Sequence, residues 1–155
     1  MKVGFIGLGR MGQGMAGRIH GAGYALAIYD AAAAQTASLA AVGARAAASV
    51  ADLCQERDVI VTMLVEDATI LSVTTGPEGL VDSLTPGAIH LVMGTHGVAT
   101  IRTLEQRHAE AGQILVAAPV TRCRSTTPRR RRRRRWRRSA PVPRPASPTS
   151  ARNAT

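Results

Sequence analysis

The sequence predicts an α/β fold, a doubly wound and mainly parallel sheet, and three observations predict it. Short apolar runs with little alternation, such as Val59 to Leu64, have the composition of strands buried on both faces of a sheet. Segments of helical spacing separate these runs. Hydrophobic residues make up 45% of the chain and aromatic ones only 3%, so the core must be built from Ala, Val, Leu, Ile and Met. Such side chains suit helices layered on a parallel sheet.

Taken in order, Val3 to Ile6 is an apolar run stopping at Gly7, which predicts a buried strand feeding a glycine turn. Met11, Met15 and Ile19 then recur every fourth position. They predict a helix from Arg10 to His20, ended by Gly21 and Gly23, with Met11 and Met15 turned into the core. Ala25 to Tyr29 is a second strand. Asp30 is placed to cap an alanine-rich helix over Ala31 to Val42, with Gly43 as its stop. Asp58 to Leu64 gives the next strand, followed by a helix near Asp67 to Val73 and a strand at Ala88 to Met93. A helix near Val98 to Ala111 and a strand at Gln113 to Ala117 complete the alternation.

Residues 1–120 form the predicted globular domain and residues 121–155 a separate tail. The first segment holds seven basic and all ten acidic side chains, a net of −3, whereas the tail holds thirteen arginines and no acid. The tail contains Arg129 to Arg135 unbroken, Trp136 among further arginines, and Pro141, Pro143, Pro145 and Pro148. Such a composition cannot bury enough apolar surface to fold, and disorder is expected. One reading makes it an arm for nucleic acid or other polyanions. The other is a shifted reading frame, since displaced GC-rich alanine codons are read as Arg and Pro.

Cys54 and Cys123 stand alone, without the spacing of a disulfide framework or a zinc site. No apolar run approaches the roughly 20 residues needed to span a bilayer, and the opening residues are too short and too broken by glycine for a signal peptide. A soluble, cytoplasmic protein is expected. His20, His90, His96 and His108 are scattered and read as surface or packing residues.

The chemistry is concentrated in Gly7-Leu8-Gly9-Arg10-Met11-Gly12, a GxGxxG between a strand and a helix. Gly7 allows the turn, Gly9 admits a phosphate against the backbone, and Gly12 lets helix and sheet approach. The helix N-terminus offers free N–H groups to a pyrophosphate. Asp30 closes the second strand at the distance expected of an acid that binds the adenosine ribose. Its charge would repel a 2′-phosphate, and Ala31 to Ala34 supply no base to receive one. A Rossmann-type site for NAD in preference to NADP follows.

The segment Phe5 to Ala16, FIGLGRMGQGMA, resembles the opening signature of the β-hydroxyacid dehydrogenases, the 3-hydroxyisobutyrate and 6-phosphogluconate dehydrogenase group. Val61 to Leu64, Gly76 to Leu80 and Ala118 to Val120 resemble later motifs of that family in the same order. The resemblance implies that Met63, Leu64 and Val65 approach the cofactor and that Thr95 lies near the nicotinamide. Departures occur at Val65, where the family has proline, and at Arg18, Val92, Gly94 and Ala117. Family members continue with Ser-Gly-Gly and a helical domain bearing a catalytic lysine, and here Thr121, Arg122 and Cys123 stand instead.

The resemblance implies hydride transfer between a nicotinamide cofactor and a small β-hydroxyacid, with this chain inactive alone for want of that lysine. A nucleic-acid-binding protein acting through the tail, and a non-catalytic NAD-sensing module, are the alternatives. An apolar sheet face that the absent domain would cover is also expected.

Overall fold

The computed structural model describes residues 1–120, and the expectations placed on residues 121–155 lie outside them. Six parallel strands form one sheet in the order β3-β2-β1-β4-β5-β6. Strand β1 is Lys2–Ile6, β2 Ala25–Tyr29, β3 Arg45–Ala46, β4 Val59–Thr62, β5 Ile89–Val92 and β6 Ile114–Ala117. Chain order reverses direction between β1 and β4, so their carboxyl ends flank the crevice at which doubly wound sheets bind ligands. Residues Val3 to Ile6 pair with Val59 to Thr62 across that switch point. The predicted α/β class is what forms.

Helix α1 spans Arg10–Gly21, α4 Asp67–Thr75 and α6 Val98–Glu110, close to their expected positions. The alanine-rich segment is a correction. In place of one helix over Ala31 to Val42 there is a 3-10 turn, Ala33–Thr36, and a single α-turn, α2, over Ala37–Ala40. Alanine supplies propensity but no anchor: Leu39 alone in this stretch is buried, and a helix this short is not stable without a packed stripe. Three short elements went unpredicted, namely β3, α3 (Val50–Cys54) and α5 (Leu80–Ser83).

The two larger of three core clusters lie on opposite faces of the sheet. One joins Val3, Phe5, Leu26, Ile28 and Val61 to Leu8, Ala16 and Leu39. The other joins Ile6, Ala27 and Ile60 to Leu53, Cys54 and Leu80. Burial pushes the Cys54 thiol up to about 12, which keeps it protonated at neutral pH. On the α1 face no helix of the described residues lies above β5 and β6, and Ile114 and Val116 are 50% and 41% exposed. They lie beside Ile89 and Leu91 in register. Among the described residues this end of the sheet exposes apolar side chains. Met11 corrects the sequence reading, being 47% exposed rather than core; Met15 is half-buried against the α1-side core. With Met93 and the stems of Arg10 and Arg18 these methionines line an open groove of about 540 Å³.

Two of the four histidines, His90 and His108, are joined in the interior. Gln113 donates its amide to Val81 O and Leu84 O at 2.9 and 2.8 Å, which leaves its Oε1 to accept from His108 Nδ1 at 2.7 Å. His108 Nε2 must then accept from His90 Nδ1 at 2.8 Å, and His90 Nε2 from the Thr62 hydroxyl at 2.9 Å. The network fixes one neutral tautomer for each ring. Every member is buried, so this is a satisfied polar strut between β4, β5 and α6.

Candidate dinucleotide site

The crevice is built from three turns at the carboxyl ends of β1, β4 and β5. Gly7 leaves β1 with φ +91°, in the left-handed region that a side chain resists, and a Cβ there would lie 2.5 Å from Met63 O and 3.0 Å from Leu64 Cδ2. The turn after β1 is therefore pressed against the turn after β4. At Gly12 a Cβ would overlap Gly7 O outright, so this glycine sets how closely α1 approaches the strand that feeds it. Beside Gly9 a Cβ would meet nothing within 4 Å, which leaves that side of the turn open to a ligand.

The N-terminus of α1 carries no side-chain cap and no acid in its first turn. The first intrahelical donor is Gln13 N, which bonds Gly9 O at 3.0 Å. The N–H groups before it lack helical partners and point where an anion would sit. The contrast with α3 is local: there Ser49 fills the cap, accepting from Asp52 N at 3.0 Å. A glycine in place of a capping side chain is what a pyrophosphate site requires, and in this respect the residues fit a dinucleotide.

Asp30 is a clamp rather than the helix cap expected of it. Its Oδ2 accepts from Leu8 N at 2.7 Å and its Oδ1 from Ala32 N at 2.9 Å, which ties the end of β2 to the glycine turn. Each oxygen keeps a further lone pair for a sugar hydroxyl. Beside it opens a hollow of about 390 Å³ walled by Tyr29, Thr36 and alanines. Among the lining residues none is basic, and Arg45 on the neighbouring strand is committed to Asp52 at 2.8 Å.

The structure brings Gly7 to Gly12, Asp30, Met63 and Leu64 into one crevice. Leu8 is wholly buried and faces the crevice only through its backbone, whereas Arg10 is exposed. Val65 is 85% exposed beyond β4. Thr95 is exposed on the loop after β5, adjacent to Gly94, where a Cβ would overlap Leu64 O. The second and third turns are thus in contact as well.

The sequence reading missed a group on that third turn. His96 Nδ1 lies 2.8 Å from Asp67 Oδ1, and Asp67 also accepts from the Thr100 hydroxyl at 2.8 Å and from Gly97 N at 3.2 Å. The Thr100 hydroxyl first, then His96, holds the Asp67 carboxyl below its usual range. No sequence signal joins residues 29 apart on a loop and a helix start.

Comparison with known proteins agrees with this geometry. The family described as the NAD binding domain of 6-phosphogluconate dehydrogenase matches residues 2–127. An oxidoreductase of Bacillus subtilis, YfjR, is 39% identical over 120 residues, covering 77% of this chain and 42% of its own. Two solved structures are each 26% identical over 77% of the chain. The first is Psf3 in complex with NADP+, with a TM-score of 0.74 and 42% of its length covered. The second is the 3-hydroxyisobutyrate dehydrogenase of Mycobacterium tuberculosis with L-serine, with a TM-score of 0.72 and 40% covered. The chain spans about two fifths of the length of these relatives. Among the described residues no helix is long and apolar enough to cross a membrane. The open α1 terminus, the glycine turn and Asp30 together with these matches show that the chain belongs to the family of NAD(P)-binding domains represented by that of 6-phosphogluconate dehydrogenase.

Proposed function

We propose that this chain is the cofactor-holding part of an oxidoreductase that passes hydride between NAD and a small β-hydroxyacid in the cytoplasm, and that it does not turn over alone. The observation that carries the cofactor reading is the uncapped N-terminus of α1 beside Asp30. The alanine-walled hollow at Asp30 favours a free 2′-hydroxyl over a 2′-phosphate. The backbone of Gly9 to Gly12 would hold the pyrophosphate, and Met63 to Val65 with Thr95 would flank the nicotinamide half. A bound nicotinamide supplies the hydride chemistry.

The substrate class rests on the likeness to 3-hydroxyisobutyrate dehydrogenase. Among the described residues no lysine stands in the crevice. The one lysine of the chain, Lys2, opens β1 at the opposite end of the sheet, where its amine pairs with Glu56 at 2.7 Å.

Titration of the full chain with NAD and NADP tests the cofactor reading. NAD is expected to bind at least tenfold more tightly than NADP. Asp30→Asn, which removes the charge and keeps one acceptor, should weaken NAD by about tenfold to a hundredfold, the worth of hydrogen bonds to a charged group, and narrow the gap to NADP. Equal affinity for the two cofactors in the wild-type chain would overturn the NAD preference. Dehydrogenase turnover by this chain would overturn the proposal that it does not turn over alone.

A further inference from the structure

The imidazole of His96 has one nitrogen committed and one free. Asp67, an ionised acceptor, takes the hydrogen on Nδ1, so that in the neutral imidazole Nε2 carries the lone pair. The side chain is 0% exposed, and Nε2 is one of three buried side-chain polar atoms among the described residues with no hydrogen-bond partner. Buried acceptors are almost always paired, so an orphan at the rim of a ligand crevice marks a missing donor. Its direction is given by Gly94: a Cβ there would lie 2.5 Å from Nε2 and would also overlap Leu64 O. Two acceptors from different turns converge over one glycine, and a donor placed between them would satisfy both.

The topology says which donor. A doubly wound sheet is two mononucleotide-binding halves, here β1-β2-β3 and β4-β5-β6, each offering its strand ends to one nucleotide. In the first half the loop after β2 carries Asp30 beside the adenosine ribose position. The loop after β5 is its counterpart, since β2 and β5 neighbour β1 and β4 in matching registers. That loop carries His96.

We infer that His96 is a binding residue for the second ribose of a dinucleotide, the nicotinamide-side sugar, one of whose hydroxyls donates to Nε2 beside Leu64 O. The inference rests on the dinucleotide reading above. Asp67 acts through His96 as a positioning residue, and with Thr100 and Gly97 it fixes the loop on which Thr95 also sits. Glycine at position 94, where a side chain would strike both acceptors, lets the two turns come this close.

The test uses the full chain, His96→Ala, and three ligands: AMP, which lacks the second ribose, ADP-ribose, which has it without nicotinamide, and NAD. Loss of one hydrogen bond should weaken ADP-ribose and NAD by about fivefold to tenfold and leave AMP unchanged. Equal weakening of all three, or of none, overturns the inference, and so does weakening of NAD alone, which would place the contact on the carboxamide. Should the variant fail to fold, the ¹⁵N resonance of His96 Nε2 in the wild-type chain decides. It must shift on saturation with ADP-ribose and stay in place with AMP. A wild-type chain that binds no dinucleotide refutes the cofactor reading itself, a result distinct from all of these.

Discussion

Gly12→Ala is expected to abolish dinucleotide binding, with an affinity loss of at least a hundredfold, and to cost about 2–4 kcal/mol of stability. The added methyl would overlap Gly7 O, a backbone atom held by the strand behind it, so no rotamer change relieves the contact. Helix α1 must instead back away from the sheet. Its uncapped N–H groups then leave the position at which they converge on the pyrophosphate. Gly14→Ala is the matched control on the same helix, since a Cβ there meets nothing within 4 Å. It should leave binding intact and add up to about 1 kcal/mol through helix propensity. Urea melts and NAD titrations of both variants separate the two effects, and a Gly12→Ala chain that binds NAD normally would sink the account of the turn.

Mild acid is the second large effect. Burial holds His90 down to about 3, and burial also lowers His108 from the ordinary 6.5. The folded chain therefore binds fewer protons than the unfolded chain below pH 6.5. Stability is complete above that value and falls as pH drops toward 3. For His90 alone the loss across the window is on the order of 5 kcal/mol, much of a small domain's stability. Chemical melts between pH 7.5 and 5 should show the decline beginning near pH 6, before carboxylates such as Asp67 titrate. The double substitution His90→Leu with His108→Leu should flatten that slope while lowering stability at pH 7.5, because Thr62 and Gln113 lose their partners. A wild-type chain equally stable at pH 7.5 and 5 would contradict the buried neutral pair.

The sheet, the three long helices and the pyrophosphate turn were legible because each rests on local pattern: an apolar run, a stripe every fourth residue, glycines at fixed offsets. The α2 region misled for the same reason, since alanine content registers propensity and is silent about anchoring, which only Leu39 provides. Strand β3, at two residues, is too short to leave a periodic trace. Helix α3 did leave one, Ser49 followed three residues later by Asp52, a start signal that went unused. Asp30 was identified as an acid in the right place, but its bonds to Leu8 and Ala32 depend on the packed turn. The links of His90 to His108 and of Asp67 to His96 are made by tertiary folding across 18 and 29 residues, and no spacing rule reaches them.

The buried thiol of Cys54 gives the protein a built-in clock. It lies in the core between α3 and the sheet and remains a thiol, not a thiolate, so a sulfhydryl reagent can modify it only when that core opens. The rate at which the Cys54 peptide gains the label thus counts opening events directly, without denaturant. A ligand that must leave the crevice before that core opens slows the rate by a factor of one plus the ratio of free ligand concentration to Kd, so the cysteine reports on binding from the far side of the sheet.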